Sequence, residues 1–117
     1  MGLDTLAGRT PDIALTEADR EAFDRAKVLL CECEGDTSFR GKVYAELVED
    51  VTGVSLFEEW IPPEVVRRMA AELERCDPVE VAAGAECRYH VSPFEVVELG
   101  RFFRLCADRG LGLVGSW

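Results

Sequence analysis

Six side chains of this 117-residue chain belong to the types that act as nucleophiles, proton carriers or metal ligands near neutral pH: Cys31, Cys33, Cys76, Cys87, Cys106 and the single histidine, His90. Cys87 and His90 lie three apart, so a Cys–His dyad is arithmetically available. Nothing near them signals an oxyanion hole or an orienting acid. Cys31, Cys33, Cys87 and His90 are also zinc-ligand types. However, Cys-x-Cys is tighter than the usual gap of about two to four residues, and Cys87-x-x-His90 completes only half a knuckle. Buried thiols are the expectation, with no metal and no cofactor. The odd cysteine count, without a regular framework, argues against a disulfide scaffold. The chain has no Gly-x-Ser-x-Gly, P-loop, dinucleotide fingerprint, His-Glu-x-x-His or EF-hand loop. No catalytic residue is assigned, and an enzyme is the less favoured class.

The carboxylates carry a second kind of chemistry. Glu58 and Glu59 stand beside Trp60, the neighbour a general acid in an apolar pocket needs. In a chain with 23 acidic and 13 basic residues, that adjacency weighs little. The wider span from Lys42 to Val66 weighs more. It holds six carboxylates against one lysine, −5 of the net −10. With Phe57, Trp60 and Ile61 in an expected loop, Glu49, Asp50, Glu58, Glu59 and Trp60 form a candidate binding patch, with an aromatic anchor and charges that guide approach. The competing expectation is that the indole plugs the core beneath the loop.

A third cluster runs from Glu34 to Lys42. Its backbone amides, aided by Arg40 and Lys42, suit an anion, while Asp36 or Ser38 suits a helix cap. Arg40, Tyr44 and His90 define the alternative site, a pocket for a small ligand or substrate, provided the fold brings them to one cleft.

Charge bounds the partners. A net charge of −10 repels nucleic-acid backbones and anionic membrane surfaces, and it steers encounter toward a basic protein. The longest apolar runs, such as Val28–Cys31, are far too short to span a bilayer. Met1-Gly2-Leu3-Asp4-Thr5 has neither the basic nor the apolar region of a secretion signal, so a cytoplasmic setting is expected. The size fits one globular domain, residues 1–117, as a monomer or homodimer.

Four helical segments position these residues. Residues 1–12 are a short strand or a frayed tail. Thr16 reads as an N-cap, with Asp19 in the place of the usual Glu or Gln of a capping box. Helical spacing of Ala22, Phe23, Ala26, Leu29, Leu30 and Cys33 predicts a helix reaching Gly35. Its rival is a helix ending near Lys27 and a strand over 28–33. A second helix is expected over about Phe39–Thr52, stopped by Gly53, and a third opens on Pro63 and closes at Asp77-Pro78. Outward Glu64–Arg68 and Arg68–Glu72 pairs are expected on the third, and a short turn of helix is expected after it, through Ala83. Tyr89-His-Val91 reads as a brief strand. Ser92, Pro93 and Glu95 open the last helix as N-cap, first position and capping box. Val96, Leu99, Phe102, Phe103 and Cys106 form its apolar face, widened by Phe94, Val97 and Leu105. Glu95, Glu98, Arg101, Arg104 and Asp108 are its polar stripe. Gly110 ends it, and Leu111–Trp117 reads as a buried strand, with Leu111–Ser116 paired with Leu3–Ala7 and with Trp117 buried. The fold class expected is α+β: about four helices packed with a small sheet that includes the C-terminal strand.

Three segments carry a resemblance: Met1-Gly2-Leu3-Asp4, Ser38-Phe-Arg-Gly-Lys-Val-Tyr44, and Gly100-Arg-Phe-Phe-Arg-Leu-Cys106 before a glycine and a terminal strand. Together they resemble families of small uncharacterised bacterial proteins, some of them similar to immunity proteins of contact-dependent or polymorphic toxin systems. The resemblance covers about a third of the chain and implies a bacterial origin and a toxin-binding role. The function expected is a small acidic protein-binding domain, in its specific form an immunity protein that neutralises a basic toxin.

Overall fold

The computed structural model describes residues 2–84 and 90–117. Strand β1 (Asp4–Gly8) leads to α1 (Glu17–Ala26), then a hairpin of β2 (Leu29–Leu30) and β3 (Cys33–Glu34). Next come β4 (Ser38–Phe39), α2 (Gly41–Thr52), β5 (Trp60–Ile61), α3 (Pro63–Arg75), α4 (Pro78–Ala83), α5 (Pro93–Asp108) and β6 (Gly112–Ser116). The architecture is α+β.

Four strands form an antiparallel sheet in the order β4-β1-β6-β5, so the C-terminal strand is a central one. Its expected pairing with the N-terminal strand is present, from Asp4 opposite Ser116 to Gly8 opposite Gly112. Partners directly opposite project to one face. Ala7, Leu113 and Ile61 therefore line up across three strands, all buried against the helices. Leu6, Val114 and Trp60 line up on the other face, each half-buried.

Helices α2, α3 and α5 cover the inner face, with α3 against α5 the most extensive contact between helices. Phe39, Phe102, Phe103 and Phe23 form a continuous aromatic cluster, with Phe39 and Phe102 edge-to-face at 4.9 Å. Cys33 and Cys106 are buried as expected, and burial pushes both thiols up from their ordinary range.

The expected helix boundaries hold in several places. Thr16 and Ser92 each build a full capping box, with Asp19 and Glu95 at the third position. Gly53 ends α2 in the left-handed region at φ 75°. Pro63 and Pro93 open α3 and α5.

Other expectations are corrected. The first helix does not reach Gly35; it ends at Lys27, which takes φ 49°, and a tight hairpin follows. The reason lies on α5. Arg101 Nη2 donates to the Ala26 carbonyl (2.5 Å), and the buried Glu98 accepts the Leu29 N–H (2.7 Å) while paired with Arg101 (2.7 Å). These contacts satisfy the backbone where the helix stops. Glu98, expected on a wet stripe, is thus buried, while Phe94 and Val97 are exposed. Phe39 belongs to β4, and α2 starts at Gly41 with Arg40 at the N-cap; neither Asp36 nor Ser38 caps it. Glu72 pairs with Arg75 instead of Arg68. Trp117 is 55% exposed, because the pairing with β1 ends at Ser116 and the last residue overhangs the sheet. The expected strand over Tyr89-His-Val91 lies partly outside the described residues, and His90 and Val91 are in none.

Candidate functional site

Glycines in β6 decide how the acidic loop approaches the sheet. A Cβ on Gly115 would collide with the carbonyl of Glu58 and crowd that of Leu56, so only glycine lets the 56–59 segment run beside the strand. The Gly115 N–H reaches the Glu59 carbonyl at 3.4 Å. Just past Gly115 the chain delivers Trp117, whose ring lies edge-on to Phe57 with centroids 6.0 Å apart. The Phe57 and Trp117 side chains are 49% and 55% exposed. The result is an aromatic ridge on the surface, carried by the loop and by the end of the central strand.

Carboxylates line a hollow beside each ring of this ridge. A hollow of about 420 Å³ beside Trp117 is also lined by Glu59, Val114, Ser116 and Pro11. A second hollow, of about 310 Å³ beside Phe57, is also lined by Glu49, Glu46, Ala45 and Lys42. Both are open to solvent and at the lower end of the size range for ligand sites. The Glu49, Glu58 and Glu59 carboxylates make no hydrogen bond or ion pair among the described residues. They are unpaired, in contrast to Glu74, which Arg104 holds in a two-armed ion pair (2.6 and 3.0 Å).

Four of the five residues expected in the binding patch are therefore at the surface: Glu49 and Asp50 near the end of α2, and Glu58 and Glu59 before β5. Glu49 and Glu59 line the two hollows; Asp50 lines neither. Trp60 is not in a loop. It is paired in β5, and its ring packs over Gly112, where a side chain would collide with it. It is half-buried and supports the sheet's outer face. The exposed anchor is the Phe57–Trp117 pair. A signal for Trp117 was present in the expected register, since pairing Leu3–Ala7 with Leu111–Ser116 leaves the last residue without a partner strand.

The alternative residues are placed differently. The Tyr44 hydroxyl is buried; it accepts the Cys31 N–H (2.8 Å) and donates to Glu95 Oε2 (2.5 Å). Burial, then the Glu95 carboxylate, holds this phenol above its ordinary pKa. Burial also pushes Glu95 upward, but the Tyr44 hydroxyl and the Ser92 N–H and hydroxyl more than offset it, leaving its carboxyl below the usual range. His90 is exposed and lines a hollow of about 470 Å³ with Glu95, Val79 and Pro93. Arg40 pairs with Glu32 at 3.5 Å and does not line that hollow; nor does Tyr44. Glu95, not named as a site residue from the sequence, is the group that links Tyr44 to the His90 hollow.

Among the described residues no cluster of three or more His, Cys, Asp and Glu is placed to hold a metal ion; Cys87 lies outside them. No helix among them is long and apolar enough to cross a membrane. In comparisons with known proteins, no family model, curated protein or solved structure matches the chain. A functional reading therefore rests on the residues of the chain itself.

Proposed function

We propose that this chain is an acidic protein-binding domain that receives a basic partner on the Phe57–Trp117 ridge. The observation that carries the reading is the ridge itself: two large aromatic side chains, each about half exposed, in edge contact with each other and flanked by unpaired carboxylates. Aromatic side chains exposed in this way are poor for stability and good for contact, because they bury large area at small conformational cost. Glu49, Glu58 and Glu59 stand beside them and, with Asp50 near the end of α2, set the sign of the partner's charge; Trp60 supports the sheet's outer face. The specific form, a cytoplasmic bacterial immunity protein neutralising a basic toxin, is supported by the resemblance of the Ser38–Tyr44 and Gly100–Cys106 segments and by the net charge of −10.

Parallel affinity capture from a bacterial lysate, with the wild type and with a Phe57→Ser/Trp117→Ser double variant, tests the reading. A basic protein retained by the wild type, released by salt and lost with the double variant is the expected result. Capture that the double variant leaves unchanged, or that ignores ionic strength, would count against it.

A further inference from the structure

The hollows beside the two rings share three components. Each has one aromatic wall, at least one carboxylate and an aliphatic surface: Trp117, Glu59 and Val114 on one side, Phe57, Glu49 and Ala45 on the other. We infer that the ridge reads two cationic side chains at once, one in each hollow, on a single segment of the partner. The inference rests on the protein-binding reading above and names what that partner must present.

Three physical features select a cation. The face of an indole or phenyl ring attracts a guanidinium or ammonium within about 6 Å of its centroid. The carboxylate in each hollow supplies an ion pair at the head of the side chain, and the aliphatic surface takes its stem. Arginine suits the arrangement better than lysine, since a planar guanidinium stacks on a ring and pairs with a carboxylate together. Two cations are called for because each ring of the pair lines a different hollow, Trp117 one and Phe57 the other. The subsites are unequal. Lys42 lines the Phe57 hollow beside Glu46 and Glu49, whereas among the described residues the Trp117 hollow is lined by Glu59 with no basic side chain. The Trp117 side is the stronger of the two.

Geometry bounds the spacing. Centroids 6.0 Å apart, with each cation within about 6 Å of its ring, put the two charges at most about 18 Å apart. An extended chain at about 3.3 Å per residue covers that range with arginines two to five residues apart.

The test titrates the intact protein at low ionic strength with capped Gly/Ser peptides carrying two arginines two to five residues apart. One-arginine peptides, with citrulline at the other position, are the controls. NMR shifts of the Trp117 indole and Phe57 ring protons report each subsite. At the best spacing the two-arginine peptide should bind about tenfold or more tightly than either control. Glu59→Gln or Glu49→Gln should remove that advantage, with the larger loss for Glu59→Gln. If the two-arginine peptides gain only the statistical factor of about two at every spacing, or if the gain survives both substitutions, the two-site inference is wrong while the basic-partner reading stands. If no arginine peptide shifts either ring, both are wrong.

Discussion

Asp19 receives both arms of the Arg9 guanidinium, Nε and Nη2, at 2.7 Å each, and is fully buried as it does so. Arg109 adds a further charged donor at 2.9 Å, and the Thr16 N–H a neutral one at 3.0 Å. One carboxylate thereby joins the end of β1, the start of α1 and the residue after α5. Burial pushes its pKa upward, but Arg9, the Thr16 N–H and Arg109 outweigh that and hold the carboxyl far below its usual range.

Asp19→Asn should destabilise the fold by about 3 kcal/mol at neutral pH, the low end for breaking a buried pair, because both arginines keep access to water. The depressed pKa gives the sign of the pH effect. The ionised form contributes fully above the unfolded value near 3.8, and its contribution falls as pH drops toward the folded value. Urea melts of both proteins should show a constant gap above about pH 5 that narrows below about pH 4. A gap that widens in acid would contradict the assignment.

Tyr44→Phe removes the donor to Glu95 and leaves the Cys31 N–H without its partner. A loss of about 1–3 kcal/mol is expected, together with a rise in the Glu95 pKa toward that of an ordinary carboxyl. An NMR titration of the Glu95 carboxyl checks the second effect independently of stability; an unmoved value would show that the hydrogen bond is unimportant to it.

Phe103 and Trp117 should separate cleanly in thermal melts. Phe103 has no exposed surface and sits in the aromatic cluster, so Phe103→Ala should cost about 3–5 kcal/mol. Trp117 is more than half exposed, and Trp117→Ala should cost less than about 1 kcal/mol. Equal losses would mean that the indole is part of the core.

The Thr5 hydroxyl is buried without a hydrogen-bond partner, close against Gly41. Thr5→Val exchanges that hydroxyl for a methyl of similar size in a central strand. Stability should stay level or rise by about 1 kcal/mol, measured by denaturant unfolding. A clear loss would show that the hydroxyl has a partner in solution.

These residues also show where sequence reasoning reaches its limit. Signals confined to a few neighbouring residues were readable: the capping boxes of Thr16–Asp19 and Ser92–Glu95, the prolines that open α3 and α5, and the glycine after α2. The β1–β6 pairing was readable because both segments are short apolar runs that need covering. The end of α1 was not, because Glu98 and Arg101 determine it from a helix about seventy residues away. The candidate site was half readable. Its carboxylates are local, whereas the exchange of anchors depends on pairing in the assembled sheet: Trp60 is held in β5 opposite Val114, and Trp117 lies past the last paired residue, Ser116.

The sheet's outermost strands, β4 and β5, are two residues long. Such stubs expose too little unpaired backbone to template another strand, which protects the chain from edge-to-edge aggregation. They also close one common route of peptide recognition, strand addition, which draws its affinity from main-chain hydrogen bonds and tolerates many sequences. A partner meeting this sheet must be recognised through side chains, and recognition of that kind depends on identity at individual positions.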